Sequence, residues 1–297
     1  MLHLVLSAIG YFALVVLFED SMLNILIVYP GLAVVFVATI ILAYRWFRLP
    51  DDRKHTEWLM VATLLVEPAG MLCQATSNAI SALEPLKYDL YIYRMDQWLG
   101  LHSFWLGELT ARYWQLHVLV SIVYGLLPAA MLGTFAANLL WESEAEAIAV
   151  ARTLALNLFL ALPIYLLIPV CGPQFAFPAF PAWPGALDAH RIAIAAAPNG
   201  IPSVHTSSAI LVLWFLRRWA PGRIFGWAFL LLTVFATLGS GQHYVFDLLC
   251  ALPYASFILW THWARCTVAV DTTKKDGNIY AQMQYRHNLI WAMKGDI

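Results

Sequence analysis

Two short stretches hold the residue types that could do chemistry: Pro202-Ser203-Val204-His205 and His243-Tyr244-Val245-Phe246-Asp247. Asp247 follows His243 by four residues, so on a helix starting nearby the two side chains share a face. A carboxylate can then hold one ring nitrogen and leave the other free to attack, the orienting arrangement of a catalytic triad. His205 supplies a second imidazole able to give and take a proton. Two histidines and a carboxylate gathered in this way can pass a phosphoryl group through a phosphohistidine. Ahead of His205, Pro198-Asn199-Gly200-Ile201-Pro202-Ser203 reads as a turn that ends in a helix start. Ser203 fits an N-cap, and the helix behind it offers a phosphate unpaired N–H groups and a positive dipole end. Asn199, Gly200 and Ser203 are therefore substrate-binding candidates. So are Ser240 and Gln242, just before His243, and Arg191, the one basic residue of the loop 171–204.

The elements that must bring these groups together are apolar. Of 297 residues, 61% are hydrophobic and 12% charged, whereas soluble domains carry about a quarter charged residues. A single soluble domain could not hide this much apolar surface, so the solvent for most of the chain is expected to be lipid. The formal net charge of -1 and the lack of a basic run give no reason to expect a nucleic-acid partner. Four scattered cysteines (Cys73, Cys171, Cys250, Cys266) form no C-x-x-C pair and read as packing residues. The apolar N-terminus has neither a basic leader nor an A-x-A signal, which favours a membrane span over a cleaved signal peptide.

Apolar runs long enough to cross a bilayer fall at 2–18, 24–44, 57–80, 114–138, 148–170, 205–219, 223–240 and 246–262. With the N-terminus in the cytoplasm, inner segments hold thirteen of the 17 basic residues and outer segments four: Lys87, Arg94, Arg112 and Arg191. The acidic inner loop Trp141–Glu146 runs against that bias, but acidic residues count for little in it. His205 then opens the sixth span and His243 closes the seventh. The turn Arg217-Arg218-Trp219-Ala220-Pro221-Gly222-Arg223 makes these spans an antiparallel hairpin, with both histidines at its outer end. Residues 82–113 read as an interfacial segment in which Asp89, Ile92 or Tyr93, and Asp96 recur at helical spacing, with tyrosine and tryptophan marking headgroup depth. The loop 171–204 carries six of the fifteen prolines. Glu67-Pro68 places a carboxylate beside a proline within the third span, a functional candidate by default.

Pro202-Ser203-Val204-His205 and Gly241-Gln242-His243-Tyr244-x-x-Asp247 resemble the second and third signature motifs of the type 2 phosphatidic acid phosphatase superfamily. Its members act on phosphate esters without a metal. The resemblance is closest to the inositol phosphorylceramide synthase, or inositolphosphotransferase, branch, which also favours His-Tyr before the aspartate. That branch has an Asp-x-x-Leu-Gly-like stretch ahead of the core, here Asp96-Gln97-Trp98-Leu99-Gly100. The resemblance covers about residues 57–262. It implies that His243 is the nucleophile, Asp247 its orienting carboxylate and His205 the general acid, with Ser203 and neighbouring N–H groups on the phosphate. Two departures stand out. The chain has no Arg-Pro dipeptide, and Thr237 stands where family phosphatases usually carry an arginine six residues before the nucleophile.

The expected protein is thus an all-α polytopic membrane bundle of about eight transmembrane helices with a six-helix phosphatidic acid phosphatase-like core. Two N-terminal helices and an inner loop occupy 1–54, the catalytic core 55–262 and a cytoplasmic tail 263–297. The expected activity is transfer of a phospho-headgroup between a membrane phospholipid or lipid phosphate and an alcohol, with no cofactor and no metal. A lipid phosphate phosphatase, with water as acceptor, is the alternative. A transporter that kept the fold is the non-enzymatic one, and it would place polar groups at broken helices near the midplane. The expected location is the plasma membrane, with both termini cytoplasmic and the site on the outer face.

Overall fold

The computed structural model describes residues 38–46, 53–101 and 103–275. The span expected at 2–18, most of that at 24–44, and the tail beyond 275 lie outside the described residues. What is described is mostly helical. Among the described residues, four helices are long and apolar enough to cross a membrane, α1 (Arg53–Leu83) and three introduced below, and a bent pair of helices would make a fifth span.

After α1 the chain forms a two-residue strand β1 (Leu86–Lys87), then α2 (Asp89–Trp98) and α3 (Ser103–Arg112). The expected interfacial segment is therefore two short helices. The helical stripe read from the sequence is the buried face of α2: Asp89, Ile92, Tyr93 and Asp96 are all buried, while Trp98 is 86% exposed. Tyr93 is no headgroup anchor. Its ring packs against Phe104 and Phe177 with centroids 5.7 and 5.0 Å away.

The expected fourth span is broken. It consists of α4 (Trp114–Gly125) and α5 (Leu127–Trp141), bent by 48° at Leu126. Pro128 in the first turn of α5 cannot donate to the preceding turn, which lets the axis change there. Next, α6 (Glu144–Leu167) is one of the four spanning helices. Ser143 caps it by accepting from Glu146 N at 3.2 Å, and Glu144 and Glu146 favour the positive end of its dipole. The acidic loop that opposed the charge bias is matched by cations from other segments: Lys54 meets Glu144 at 2.7 Å, and Arg218 meets Glu142 at 3.4 Å. These charges gather at one end of the bundle.

The long loop holds a single helical turn α7 (Pro173–Ala176) and a strand β2 (Ile192–Ala193) antiparallel to β1, in register Leu86↔Ala193 and Lys87↔Ile192. It is followed by α8 (Val204–Leu216), α9 (Ala220–Gly239) and α10 (Val245–Lys275). Helix α9 and the 245–262 part of α10 complete the set of four. The expected sixth span, α8, has only 13 residues, about 20 Å of helix against a hydrocarbon core of about 30 Å. Its C-terminus joins the basic turn at the charged end. Its N-terminus, with Ser203 and His205, is consequently recessed, roofed by the loop and by α2.

The main core joins α5, α6, α8 and α10 through residues such as Phe135, Val150, Leu211 and Ile258. Polar bonds knit the same helices: Asn157 Nδ2 donates to Ser208 Oγ at 2.9 Å and Tyr254 Oη to the Asn157 carbonyl at 2.6 Å. Interhelical hydrogen bonds of this kind fix helix register where both helices are equally apolar. A second cluster (Tyr93, Phe104, Val170, Phe177, Ile201, Tyr244) forms the roof over the recessed end of α8.

Candidate active site

Three chain segments converge under that roof: 170–174, 198–205 and 240–247. Each is irregular where it meets the others, and backbone proximity explains why. Gly172 has φ of +111°, and a Cβ there would lie 2.1 Å from the Gln242 carbonyl. Only glycine fits both that conformation and that approach. Gly200 lies against Val170: its N–H donates to the Val170 carbonyl at 2.8 Å, beside Asn199 N at 3.0 Å. A Cβ on Gly200 would sit 2.6 Å from the Val170 side chain.

The expected cap is present. Ser203 Oγ accepts from Thr206 N at 3.3 Å, and Ser203 N reaches the Asp247 carbonyl at 3.4 Å. The N–H groups at the start of α8 have no carbonyl ahead of them in the helix. His243 sits between α9 and α10, and Asp247 lies in the first turn of α10. His243 Nδ1 and Asp247 Oδ2 are 3.4 Å apart, with side chains 1% and 0% exposed. The same Oδ2 accepts from Tyr244 N at 2.9 Å, which fixes the carboxylate plane. The His205 ring is 6.4 Å from that of His243, centroid to centroid. Its other neighbour is the ring of Tyr124, stacked at 3.8 Å. Asp247 Oδ1 and Asn199 Oδ1 are buried and make no hydrogen bond with the described protein, and the buried ring of His243 has the Gly200 backbone beside it as well as Asp247.

Of the nine residues singled out in the sequence, His205, His243, Asp247, Ser203, Gly200 and Asn199 lie in these converging segments. Ser240 and Gln242 lie in them too, on the wall of a cavity of about 620 Å³. Arg191 is engaged elsewhere. It pairs with Glu84, donates to the Leu86 carbonyl at 2.6 Å and stacks over Tyr88 at 4.7 Å, at the edge of the strand pair. Lys87 is wholly buried and donates to the Glu84 carbonyl, and burial holds its ammonium below the usual lysine range. Thr237, at the position of the missing arginine, uses its carbonyl to turn the chain into His243, accepting from Gln242 N and His243 N at 3.2 and 3.3 Å.

The sequence reading missed what holds the segments in place: two carboxylates of α2. Asp96 receives Val245 N and Phe246 N, each at 2.8 Å, and so caps α10, the helix that carries Asp247. Asp89 receives Gly172 N at 2.8 Å and Cys171 N at 3.1 Å, and also Tyr244 Oη at 3.1 Å. One buried helix face thus clamps the three residues after His243 and ties them to the segment 171–172. Two acids seven apart on the apolar face of a helix were the available signal, since a buried carboxylate must find donors.

Burial pushes the Asp96 carboxyl up to about 7, against the opposing pull of the Val245 and Phe246 N–H groups, and Asp89 to about 6 by the same cause. An unfolded aspartate titrates near about 3.9, so the folded protein holds more protons between that value and neutrality. Stability is therefore fullest at low pH and is lost as pH rises through the folded values. A thermal melt in micelles is expected to fall as pH is raised from about 5 to about 8, and Asp96→Asn is expected to flatten part of that slope.

The PAP2 superfamily model matches residues 90–261. No curated protein and no solved structure matches the chain. The matched stretch runs from α2 to the 245–262 part of α10, takes in Asp96, His205, His243 and Asp247, and spans more than half of the sequence; the chain belongs to the PAP2 superfamily.

Proposed function

We propose that the protein is a membrane-embedded lipid phosphotransferase, inositolphosphotransferase-like, that moves a phospho-headgroup between lipid and alcohol through a phosphohistidine. Superfamily membership supports a lipid phosphatase or phosphotransferase activity. The observation that carries the finer reading is the 3.4 Å approach of His243 Nδ1 to Asp247 Oδ2, with the His205 ring 6.4 Å from His243 at the N-terminus of α8.

In the first half-reaction the other ring nitrogen of His243 attacks phosphorus. The P–N bond forms as the P–O bond to the leaving alcohol breaks, and His205 gives that oxygen its proton. Asp247 balances the charge that develops on the His243 ring. In the second, an acceptor hydroxyl passes its proton to His205 as its oxygen attacks phosphorus, and the P–N electron pair returns to His243. Ser203, Gly200, Asn199 and the N–H groups opening α8 hold the phosphate oxygens. Ser240 and Gln242 face the rest of the substrate.

Charge favours a diester over a monoester. Phosphoryl transfer relies mainly on positioning and on neutralising the oxygens. Here Arg191 is paired with Glu84, Lys87 is turned to a backbone carbonyl, and Thr237 stands where an arginine would. A monoanionic diester asks for less compensation than a dianionic monoester. In the proposed topology about eight spans, including α8 and the two expected before residue 45, surround a core over 55–262. Both termini are cytoplasmic and the site faces outward, in the plasma membrane.

The test is a mass-spectrometric product assay in detergent–lipid micelles, with phospholipids and lipid phosphates offered with and without inositol, ceramide or diacylglycerol. A new lipid diester that depends on the alcohol and disappears in His243→Ala is the expected result. Inorganic phosphate from a monoester, indifferent to alcohol, overturns the transferase in favour of a phosphatase.

A further inference from the structure

The two histidines of the site are held in different ways. His243 faces the Asp247 carboxylate and has the Gly200 backbone beside it. His205 has no such partner. Within the described residues its ring nitrogens make no hydrogen bond, and the ring contacts it makes are with Tyr124 and His243. An imidazole that gives and takes a proton must point one nitrogen at the reacting oxygen, and a hydrogen bond to its other nitrogen is the usual means. Without that bond the last side-chain torsion of a histidine is broad and sets no direction. At His205 a stacked ring is the close contact: Tyr124 lies 3.8 Å away, centroid to centroid, with 25° between the planes. The His243 ring is more distant, at 6.4 Å, and tilted by 57°.

The fold keeps Tyr124 where it is. It stands in the last turn of α4, two residues before the 48° bend at Leu126. Val120, one turn earlier, and Val123 are buried against Ala236 of α9. The end of α4 is thereby fixed to the helix that leads into His243, while His205 belongs to α8. The stack thus ties the proton-transferring histidine to the element that carries the nucleophile. The Tyr124 hydroxyl makes no hydrogen bond within the described residues, so the flat face of the ring is what His205 meets. A flat face against an imidazole restricts its rotation in a way that an aliphatic side chain of similar bulk does not. We infer that Tyr124 is the positioning residue of the general acid: its ring holds the His205 imidazole in the plane from which a nitrogen reaches the leaving and the entering oxygen.

This inference rests on the phosphohistidine reading above, and the experiment separates the two. Two ³²P diester probes place the same methyl phosphoryl group on His243 and differ in what leaves. From para-nitrophenyl methyl phosphate the phenolate departs with the electron pair of the broken P–O bond and needs no proton. From phosphatidylmethanol diacylglycerol departs, and its oxygen takes the proton of His205. The readout is the single-turnover rate of His243 labelling in micelles, expressed as the ratio of the phosphatidylmethanol rate to the nitrophenyl rate. That ratio depends neither on the folded fraction nor on the second half-reaction. His205→Ala sets the full loss of the acid, about 10²- to 10⁴-fold. Tyr124→Leu is expected to lower the ratio by about tenfold or more, and Tyr124→Phe, which keeps the ring face, to stay within about twofold of wild type. A wild-type ratio in Tyr124→Leu, with His205→Ala still lowered, overturns the positioning role and leaves the phosphohistidine standing. So does a Phe variant as impaired as Leu, since the hydroxyl would then be the acting group. No label on wild-type His243 from either probe, or a ratio untouched in His205→Ala, overturns the underlying reading, and this one with it.

Discussion

His243→Ala is expected to take turnover to background, a loss of about four orders of magnitude or more, in protein that still melts as the wild type does. The imidazole is the atom source for the P–N bond, so no neighbour can substitute for it. Asp247→Asn is expected to keep the shape of the site and lose about 10²- to 10⁴-fold, because an asparagine holds the imidazole less well in the attacking tautomer and does not offset its developing charge. The structure sharpens that expectation. Asp247 Oδ2 already accepts from Tyr244 N at 2.9 Å while facing His243 Nδ1 at 3.4 Å. Both contacts fall on one oxygen, so an amide oxygen in its place can keep them but brings no charge to offset the imidazolium, and an amide nitrogen there loses both. Labelling with a ³²P diester separates the two variants. His243→Ala should take up no acid-labile label, while Asp247→Asn should take it up slowly. Equal turnover in wild type and His243→Ala would remove the phosphohistidine from the mechanism.

How far the site could be read in advance depended on the sequence distance over which its parts act. His243 and Asp247 are four residues apart, Ser203 caps a helix three residues on, and the hairpin of α8 and α9 turns at a basic Pro-Gly break. Local spacing carries all of these; His243, Asp247 and Ser203 lie at the recessed end of the hairpin and the basic turn at its other end. Arg191 shows the opposite case. Its position in a loop beside the site made it a phosphate ligand in the sequence, but its partner Glu84 is 107 residues away and invisible to local pattern. The bend at Leu126 had a signal, Gly125 and Pro128, that a hydropathy window smooths into one long span. The shortness of α8 was blurred in the same way, because apolar residues continue through the turn that ends it. Most instructive is α2. The spacing of Asp89, Tyr93 and Asp96 was visible, but the tyrosines and Trp98 suggested that this stripe lay on the membrane surface. The donors it serves are 82 to 155 residues later.

Those donors make Asp89→Ala the most informative substitution outside the reacting groups. The change leaves Gly172 N, Cys171 N and Tyr244 Oη, all now bound to one carboxylate at 2.8–3.1 Å, without their acceptor in a buried site. Each orphaned group costs about 1–3 kcal/mol, and bonds to a charged acceptor lie at the upper end. The segment 170–172 and the residue after His243 then lose their common tether. Gly172 rests on the Gln242 backbone and Gly200 on Val170, so slack in one segment passes to the next, and a displacement of about 1 Å at a reacting group costs about 10²-fold in rate. The expected result is a fall in kcat of about 10²-fold with a smaller change in KM, because Asp89 acts on the attacking geometry and touches no substrate. Tyr244→Phe removes one of the three donors and is expected to cost much less. Asp89→Asn keeps an acceptor oxygen and should recover part of the loss. A purely structural role would lower the amount of folded protein and leave kcat per folded molecule untouched, with Asn no better than Ala. Measured by active-site labelling of His243, that outcome would remove Asp89 from the positioning machinery and leave it as a loop staple.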